Sequence, residues 1–477
     1  MITEQRTQPA RYAPRATLNA LRALLAAPHT FAGALLAVLL LRLAFGLLAL
    51  PISAAFPHTA LEQRVGLLPG NAPLGEWLGR VTVQPWQRYD AWNYVRIAEH
   101  GYRAEDGTPA FHPLYPLLAV PLAALLGGNV LLALLIVSTA ASVALCVLFA
   151  RYVRRFHPDV ASGRAAWLLL LAPPGFILLA PYTEGLFTAL AVACVWATRE
   201  RRWLMAGMLG ALATLTRQQG LALALPLAYA LFDTLRSPTA PFGRDPRLQP
   251  RAGMQKLLSP APPLESALEP VSHISGGLQP VARAAQPQGF ENGIALGRAL
   301  LALFLIPLAY AGFIAFRALT LGDLATLGQS PSPITFLWNL MVSQTSENVV
   351  AGQRITAPWV VAGQQIRLIM STGNSYDLAI DLLLGLAMTA VVVAGLWQMH
   401  IAERLYSLAA LALALCYYNG DLNPYMALPR HLLIIFPLFI VLARRLGVDD
   451  WGRRALLGLL LLNMFLAGAF FRHGWVP

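Results

Sequence analysis

The sequence predicts an all-α, polytopic membrane protein. Of its 477 residues 57% are hydrophobic and only 12% charged, and the mean hydropathy is +0.56; soluble domains carry roughly twice that share of charge. Apolar runs recur along the chain with short basic clusters between them, so the net charge of +12 marks loops facing anionic lipid rather than a nucleic-acid surface. The three cysteines, Cys146, Cys194 and Cys416, lie inside apolar stretches and read as small packing residues, neither a disulfide framework nor a thiolate metal site.

Placing the basic clusters in the cytoplasm gives a self-consistent topology of about eleven transmembrane helices. A cytoplasmic leader, 1–28, carries Arg6, Arg11, Arg15 and Arg22, and the first span, Thr30 to Ile52, is too long for a signal-peptide core and reads as a retained anchor. The outer loop 53–112 follows, and 113–126 starts within the interface. The span 129–150 returns to Arg151, Arg154, Arg155 and Arg164. Spans at 165–180 and 183–198 turn outside around Pro181-Tyr182-Thr183-Glu184 and return to Arg199, Arg201 and Arg202; spans at 203–216 and 220–235 turn outside at Arg217-Gln218-Gln219-Gly220. These four are short for a bilayer, so their outer ends are expected below the surface, with an acid and an arginine at the floor of a cavity.

Residues 236–293 hold ten prolines and the chain's only lysine, Lys256, and read as a cytoplasmic linker between two transmembrane modules, 29–235 and 294–477. The second module has spans near 294–320, 376–398, 405–418, 430–446 and 454–471, with Arg444, Arg445, Arg453 and Arg454 inside. Its outer loop, 321–375, is matched in length by loop 53–112. Loops so long in a compact bundle are usually functional, and their tryptophans and amphipathic stretches fit interfacial helices over a cavity.

The first loop is the densest run of chemistry in the chain: Trp86-Gln87-Arg88-Tyr89-Asp90-Ala91-Trp92-Asn93-Tyr94, continuing to His100-Gly101-Tyr102 and Phe111-His112-Pro113-Leu114-Tyr115-Pro116. At 100° per residue, Asn93 and His100 fall within about 80° of Asp90 on one side, whereas Ala91, Trp92, Val95 and Ala98 cluster between about 80° and 200° on the other. The expectation is an amphipathic helix whose polar edge looks into the cavity. The alternative is a solvated helix whose Asp90 caps it or pairs with Arg88 or Arg96. Arg42, inside the first span, must snorkel, pair or face the cavity; Glu184 is a natural partner, and an ion pair between the two stands beside a donor-binding role for either. Asp377 and Asp381, one turn apart at the start of a span, are helix-start acids or a sugar or cation site.

Tyr89-Asp90-Ala91-Trp92-Asn93-Tyr94 with Ile97-Ala98-Glu99-His100-Gly101-Tyr102 and Phe111-His112-Pro113-Leu114-Tyr115-Pro116 resembles the first outer loop of the PIG-V-like mannosyltransferases, within the GT-C class of polytopic glycosyltransferases. Pro181-Tyr182-Thr183-Glu184-Gly185-Leu186-Phe187, Leu215-Thr216-Arg217-Gln218-Gln219-Gly220, Pro429-Arg430-His431 and a Gly474-Trp475-Val476 tail extend the resemblance along the chain. It implies transfer of a sugar, usually mannose, from a polyprenyl-phosphate donor to an acceptor hydroxyl on the extracytoplasmic face, with inversion and with Asp90 as catalytic base. The leaving phosphate needs positive charge, for which Arg217 and Arg430 lead and His431 is secondary. Asn93, His100, His112, Glu184 and Arg42 are the expected cavity or substrate residues.

His112 stands where many relatives have Phe, and Gln353-Arg354-Ile355-Thr356-Ala357-Pro358-Trp359 only loosely matches the family's second outer loop, so acceptor preference does not carry over. The pattern calls for no cofactor and no metal beyond the lipid-linked sugar; its partners are that donor, a glycolipid, protein or polysaccharide acceptor, and membrane lipid, in a bacterial plasma membrane. A transporter or lipid flippase, or a non-catalytic assembly subunit of the same fold, is the competing reading, although no paired repeat or broken midplane helix signals transport.

Overall fold

The computed structural model describes residues 23–55, 83–104, 106–236, 293–321, 354–371, 376–447 and 449–472, together with Asn19. Most of the leader, the middle of both expected outer loops, nearly all of the expected linker and the Gly474-Trp475-Val476 tail lie outside the described residues.

The described part is a helical bundle. Its elements are α1 (Phe31–Ala55), α2 (Asp90–His100), α3 (Leu114–Leu125), α4 (Val130–Phe156), α5 (Ser162–Leu170), α6 (Glu184–Arg199), α7 (Trp203–Thr216), α8 (Ala224–Arg236), α9 (Gly293–Leu321), α10 (Pro358–Ser371), α11 (Tyr376–Gly395), α12 (Ile401–Cys416), α13 (Leu428–Leu433), α14 (Pro437–Arg445) and α15 (Asp450–Phe471). One two-residue ribbon, β1 (Arg354–Ile355) antiparallel to β2 (Tyr417–Tyr418), ties the start of α10 to the end of α12.

Five of these helices, α1, α4, α9, α11 and α15, are long and apolar enough to cross a membrane. They are apolar nearly all round, so their outward leucines and phenylalanines, such as Leu43, Leu47, Phe304, Leu461 and Phe465, stay exposed on the protein, as lipid-facing side chains do. α4 is the most enclosed of the five, packed by α1, α3, α5 and α6.

The shorter helices fill the centre. α7 covers the expected 203–216 span and α6 is shifted by one residue from 183–198. The spans expected at 165–180 and 430–446 are each broken. The first becomes α5 and a 3-10 turn, Gly175–Leu178, after Ala172-Pro173-Pro174; the second splits into α13 and α14 at Phe436-Pro437. Proline supplies no backbone N–H to continue a helix, which accounts for both breaks. α7 and α9 meet backbone to backbone at Gly207, where a Cβ would lie 2.3 Å from the Ala302 carbonyl oxygen.

α6 gives the bundle its two polar ends, about 22 Å apart at 1.5 Å per residue. At its C-terminus Arg199 donates to the buried Glu403 carboxylate at 2.7 Å, and His157 Nε2 lies 2.8 Å from the same oxygen. Tyr152 also donates to Glu403. Beside them Arg444 donates to Asp159 at 2.7 Å and, chiefly through that hydrogen bond, holds its carboxyl below the ordinary range. The ends of α4, α6 and α14 and the start of α12 thus gather where the arginine clusters predicted one shared side. Glu184 begins α6 at the opposite end.

Candidate functional site

Four charged side chains converge around the N-terminus of α6. Glu184 is fully buried, and its Oε1 accepts from Arg217 Nη1 at 2.5 Å and from Arg430 Nε. Arg430 Nη2 then reaches Asp90 Oδ2 at 2.5 Å. Arg430 therefore bridges two carboxylates and Glu184 joins two guanidiniums, a chain of alternating charge whose formal sum is zero. Among the described residues Glu184 Oε2 has no hydrogen-bond partner.

Neighbours fix this chain in place. Tyr182 lies flat under Arg430, with the guanidinium carbon 4.4 Å from the ring centroid, and its hydroxyl donates to the Arg88 carbonyl at 2.9 Å. Thr183 Oγ1 accepts from Arg217 Nη1 at 3.0 Å, and His431 Nδ1 lies 3.3 Å from Arg217 Nη2. The motif Pro181-Tyr182-Thr183-Glu184 thus supplies three successive contacts to two arginines. Sequence reasoning selected only Glu184 from it; two polar residues beside an acid at a short span's end were the available signal.

The backbone presents the same residues from strained turns. Among the described residues four non-glycine residues have positive φ; Tyr89 (46°) precedes Asp90, and Met426 (42°) and Ala427 (68°) precede the helix that carries Arg430 and His431. Such conformations cost about 1–3 kcal/mol each and persist where surrounding packing demands them. Tyr89 turns the chain so that Asp90 opens α2, with its carboxylate 28% exposed against 13% for the Arg430 side chain and none for Glu184. Asp90 and Arg430 form the accessible edge of the cluster, and Glu184 with Arg217 its interior.

Gly220 sets the position of Arg217. The 3-10 turn Gln218–Leu223 folds back on the last turn of α7, and a Cβ on Gly220 would sit 2.4 Å from the Thr214 backbone nitrogen. We expect Gly220→Ala to lower stability by about 1–3 kcal/mol, as overpacking does, and to weaken the Arg217–Glu184 contact; the thermal unfolding midpoint of the detergent-solubilised variant measures it.

Several expected site residues fall elsewhere. Arg42 does not pair with Glu184: it donates to Thr139 Oγ1 at 2.6 Å and to the Leu135 and Leu179 carbonyls at 3.0 and 2.7 Å, under the ring of Trp86. The broken helix before Pro181 exposes the Leu179 carbonyl, so the span arginine is satisfied by backbone, and Glu184 is left to the two closer guanidiniums. His100 is exposed at the C-terminus of α2, beside Glu99 and about 15 Å along the axis from Asp90; angular phase alone ignored that rise. Asn93, one turn from Asp90, is half-buried. The ion pair that Asp90 makes among the described residues is with Arg430, on a distant helix, rather than with its neighbours Arg88 or Arg96. Arg88 is buried and donates to the Gln87 and Phe471 carbonyls.

His112 packs between the first loop and α9, its ring centroid 4.9 Å from Phe313 and 6.0 Å from Tyr310, hydrogen-bonded to the Thr214 backbone. Burial pushes its pKa down to about 3, so it is a neutral packing ring. Asp381 is buried against the turn before α13, whereas Asp377, one turn away on the same helix, is only half-buried. Among the described residues no group of three or more His, Cys, Asp or Glu side chains gathers as a metal cluster.

Comparison with known proteins adds one match. Residues 76–237 match the family described as Mannosyltransferase (PIG-V), a segment that contains Asp90, Tyr182, Thr183, Glu184 and Arg217. No curated protein and no solved structure matches the chain. The family match supports a glycosyltransferase, with a sugar donor and an acceptor, in a multi-pass membrane protein.

Proposed function

Since residues 76–237 match the PIG-V mannosyltransferases, we propose that the protein is a GT-C-type glycosyltransferase that moves mannose from a polyprenyl-phosphate donor to an acceptor hydroxyl on the extracytoplasmic face, with inversion. The single observation that carries this reading is the Arg430 bridge: Asp90, the more exposed carboxylate of the cluster, is held by Arg430, whose side chain is 13% exposed against 9% for Arg217.

In this reaction the acceptor oxygen attacks the anomeric carbon, the bond from that carbon to the phosphate oxygen breaks, and polyprenyl phosphate departs with the electron pair. Asp90 takes the hydroxyl proton as the new bond forms. Arg430 meets the phosphate, because it is the more accessible of the two arginines and its planar fork suits a tetrahedral oxyanion. Docking of the phosphate draws Arg430 off Asp90 and frees a carboxylate oxygen for the hydroxyl. Arg217 and His431 hold Glu184 and the inner side of the cluster, and Glu184 keeps Arg430 from leaving entirely. The acceptor is a glycolipid, protein or cell-envelope polysaccharide, the protein residing in a bacterial plasma membrane.

Donor class is the test. Purified protein in nanodiscs is given radiolabelled polyprenyl-phosphate-mannose, polyprenyl-phosphate-glucose or a mannose nucleotide, with a membrane lipid and glycan extract as acceptor. Transfer from the mannosyl lipid and not from the nucleotide is expected; transfer from the nucleotide alone overturns the proposal.

A further inference from the structure

The turn that delivers Arg430 is anchored by an acid on α11, a helix long and apolar enough to cross a membrane. α13 is only six residues long and starts behind two residues with positive φ, Met426 and Ala427. A segment so short and strained does not hold its own direction. What holds it is Asp381, 1% exposed on α11: its Oδ1 accepts from the Leu428 N–H at 2.7 Å, and the Ala427 backbone also hydrogen-bonds the carboxylate. Four residues further along α11, the Leu428 side chain is seated on Gly385, where a Cβ would lie 2.3 Å from Leu428 Cδ2.

Gln365 completes the anchor. Fully buried on α10, it donates from Nε2 to Asp381 Oδ2 at 3.4 Å and to the Leu378 carbonyl at 3.1 Å, and its Oε1 accepts from the Tyr425 N–H at 3.4 Å. The outward side of α10 is apolar and open, with Trp359, Ile366 and Met370 exposed. One amide therefore connects a helix with an exposed apolar face, the buried acid and both sides of the turn.

We infer that Asp381, supported by Gln365, is a positioning residue for the sugar-transfer site: it fixes the Met426–Ala427 turn so that Arg430 and His431 meet Asp90, Glu184 and Arg217. An acid within an apolar span is costly to keep and is retained for what it binds; here it binds the backbone of the turn. This inference rests on the proposed transferase function for its kinetic consequence, though not for its structural one.

The experiment compares wild type, Asp381→Ala, Asp381→Asn and Gln365→Leu in nanodiscs. Hydrogen exchange of the 425–431 amides is expected to rise roughly tenfold or more in Asp381→Ala, with α4 unchanged, and to rise much less in Asp381→Asn, whose amide oxygen still accepts from Leu428 although its NH2 faces the Gln365 donor. Gln365→Leu, the milder variant should Asp381→Ala not fold, is expected to fall between them. In the transfer assay kcat should drop about 10–100-fold in Asp381→Ala, recover in Asp381→Asn, and show no further loss when Asp381→Ala is added to Arg430→Gln. Unchanged exchange at 425–431 in both Asp381→Ala and Gln365→Leu overturns the anchor. Raised exchange with undiminished transfer, or losses that add fully to Arg430→Gln, overturns the positioning role. Absence of transfer by wild type counts against the enzymatic proposal alone, and the exchange result still decides the anchor.

Discussion

Asp90→Asn should fold, insert and bind donor as wild type does, yet transfer sugar about 10²–10⁴-fold more slowly, the range over which a positioned base contributes. Asn is isosteric and still accepts a hydrogen bond from Arg430, so the geometry set by Tyr89 and α2 is preserved while the proton acceptor is lost. The readout is kcat, with KM for donor no higher than in wild type, beside matched size-exclusion profiles. Equal turnover in a well-folded Asp90→Asn protein contradicts the role of base and leaves Asp90 as a salt-bridge partner only.

Glu184→Ala is expected to act on stability first. Among the described residues it removes the only carboxylate paired with Arg217 and one of two that hold Arg430, leaving buried guanidiniums without compensation; breaking a buried pair in this way costs about 3–5 kcal/mol. Much less monodisperse protein should be recovered, with a lower thermal midpoint, and the surviving fraction should be inactive. Glu184→Gln, which keeps an acceptor oxygen but no charge, should fall between. The same logic sets Asp90 apart from Glu184: removing the accessible acid costs rate, removing the interior one costs fold. Wild-type stability in Glu184→Ala would show that the alternating chain of charge is not what holds this end of the bundle.

Much of the bundle was legible in the chain. Apolar run length and flanking arginines located α4, α6, α7 and α11 within a few residues, because lipid imposes both signals directly. The short spans also announced a sunken acid and arginine, and Glu184 and Arg217 do meet. Other features were written in pieces that no local pattern joins. Glu184 and Arg430 are 246 positions apart, and nothing near either names the other. Arg42 was assigned a charged partner because an isolated guanidinium in lipid is expensive; broken helices offered carbonyls instead, and breaks of that kind are the hardest feature to place from periodicity. His100 failed for a simpler reason, since helical phase gives an angle and says nothing of distance along the axis. Asp377 and Asp381 fit either helix-start acids or a sugar or cation site in the sequence, although the position of Asp381 one turn deeper, between Ile380 and Leu382, already demands a buried partner.

In the proposed reaction a single accessible carboxylate, Asp90, deprotonates the acceptor in one displacement, while Glu184 is occupied by two arginines and takes no part in bond making. The anomeric configuration of the product, read by proton NMR after transfer from a polyprenyl-phosphate sugar of known configuration, tests it directly. Inversion is the predicted result, and retention, which would require a second carboxylate to form a covalent glycosyl intermediate, would contradict it.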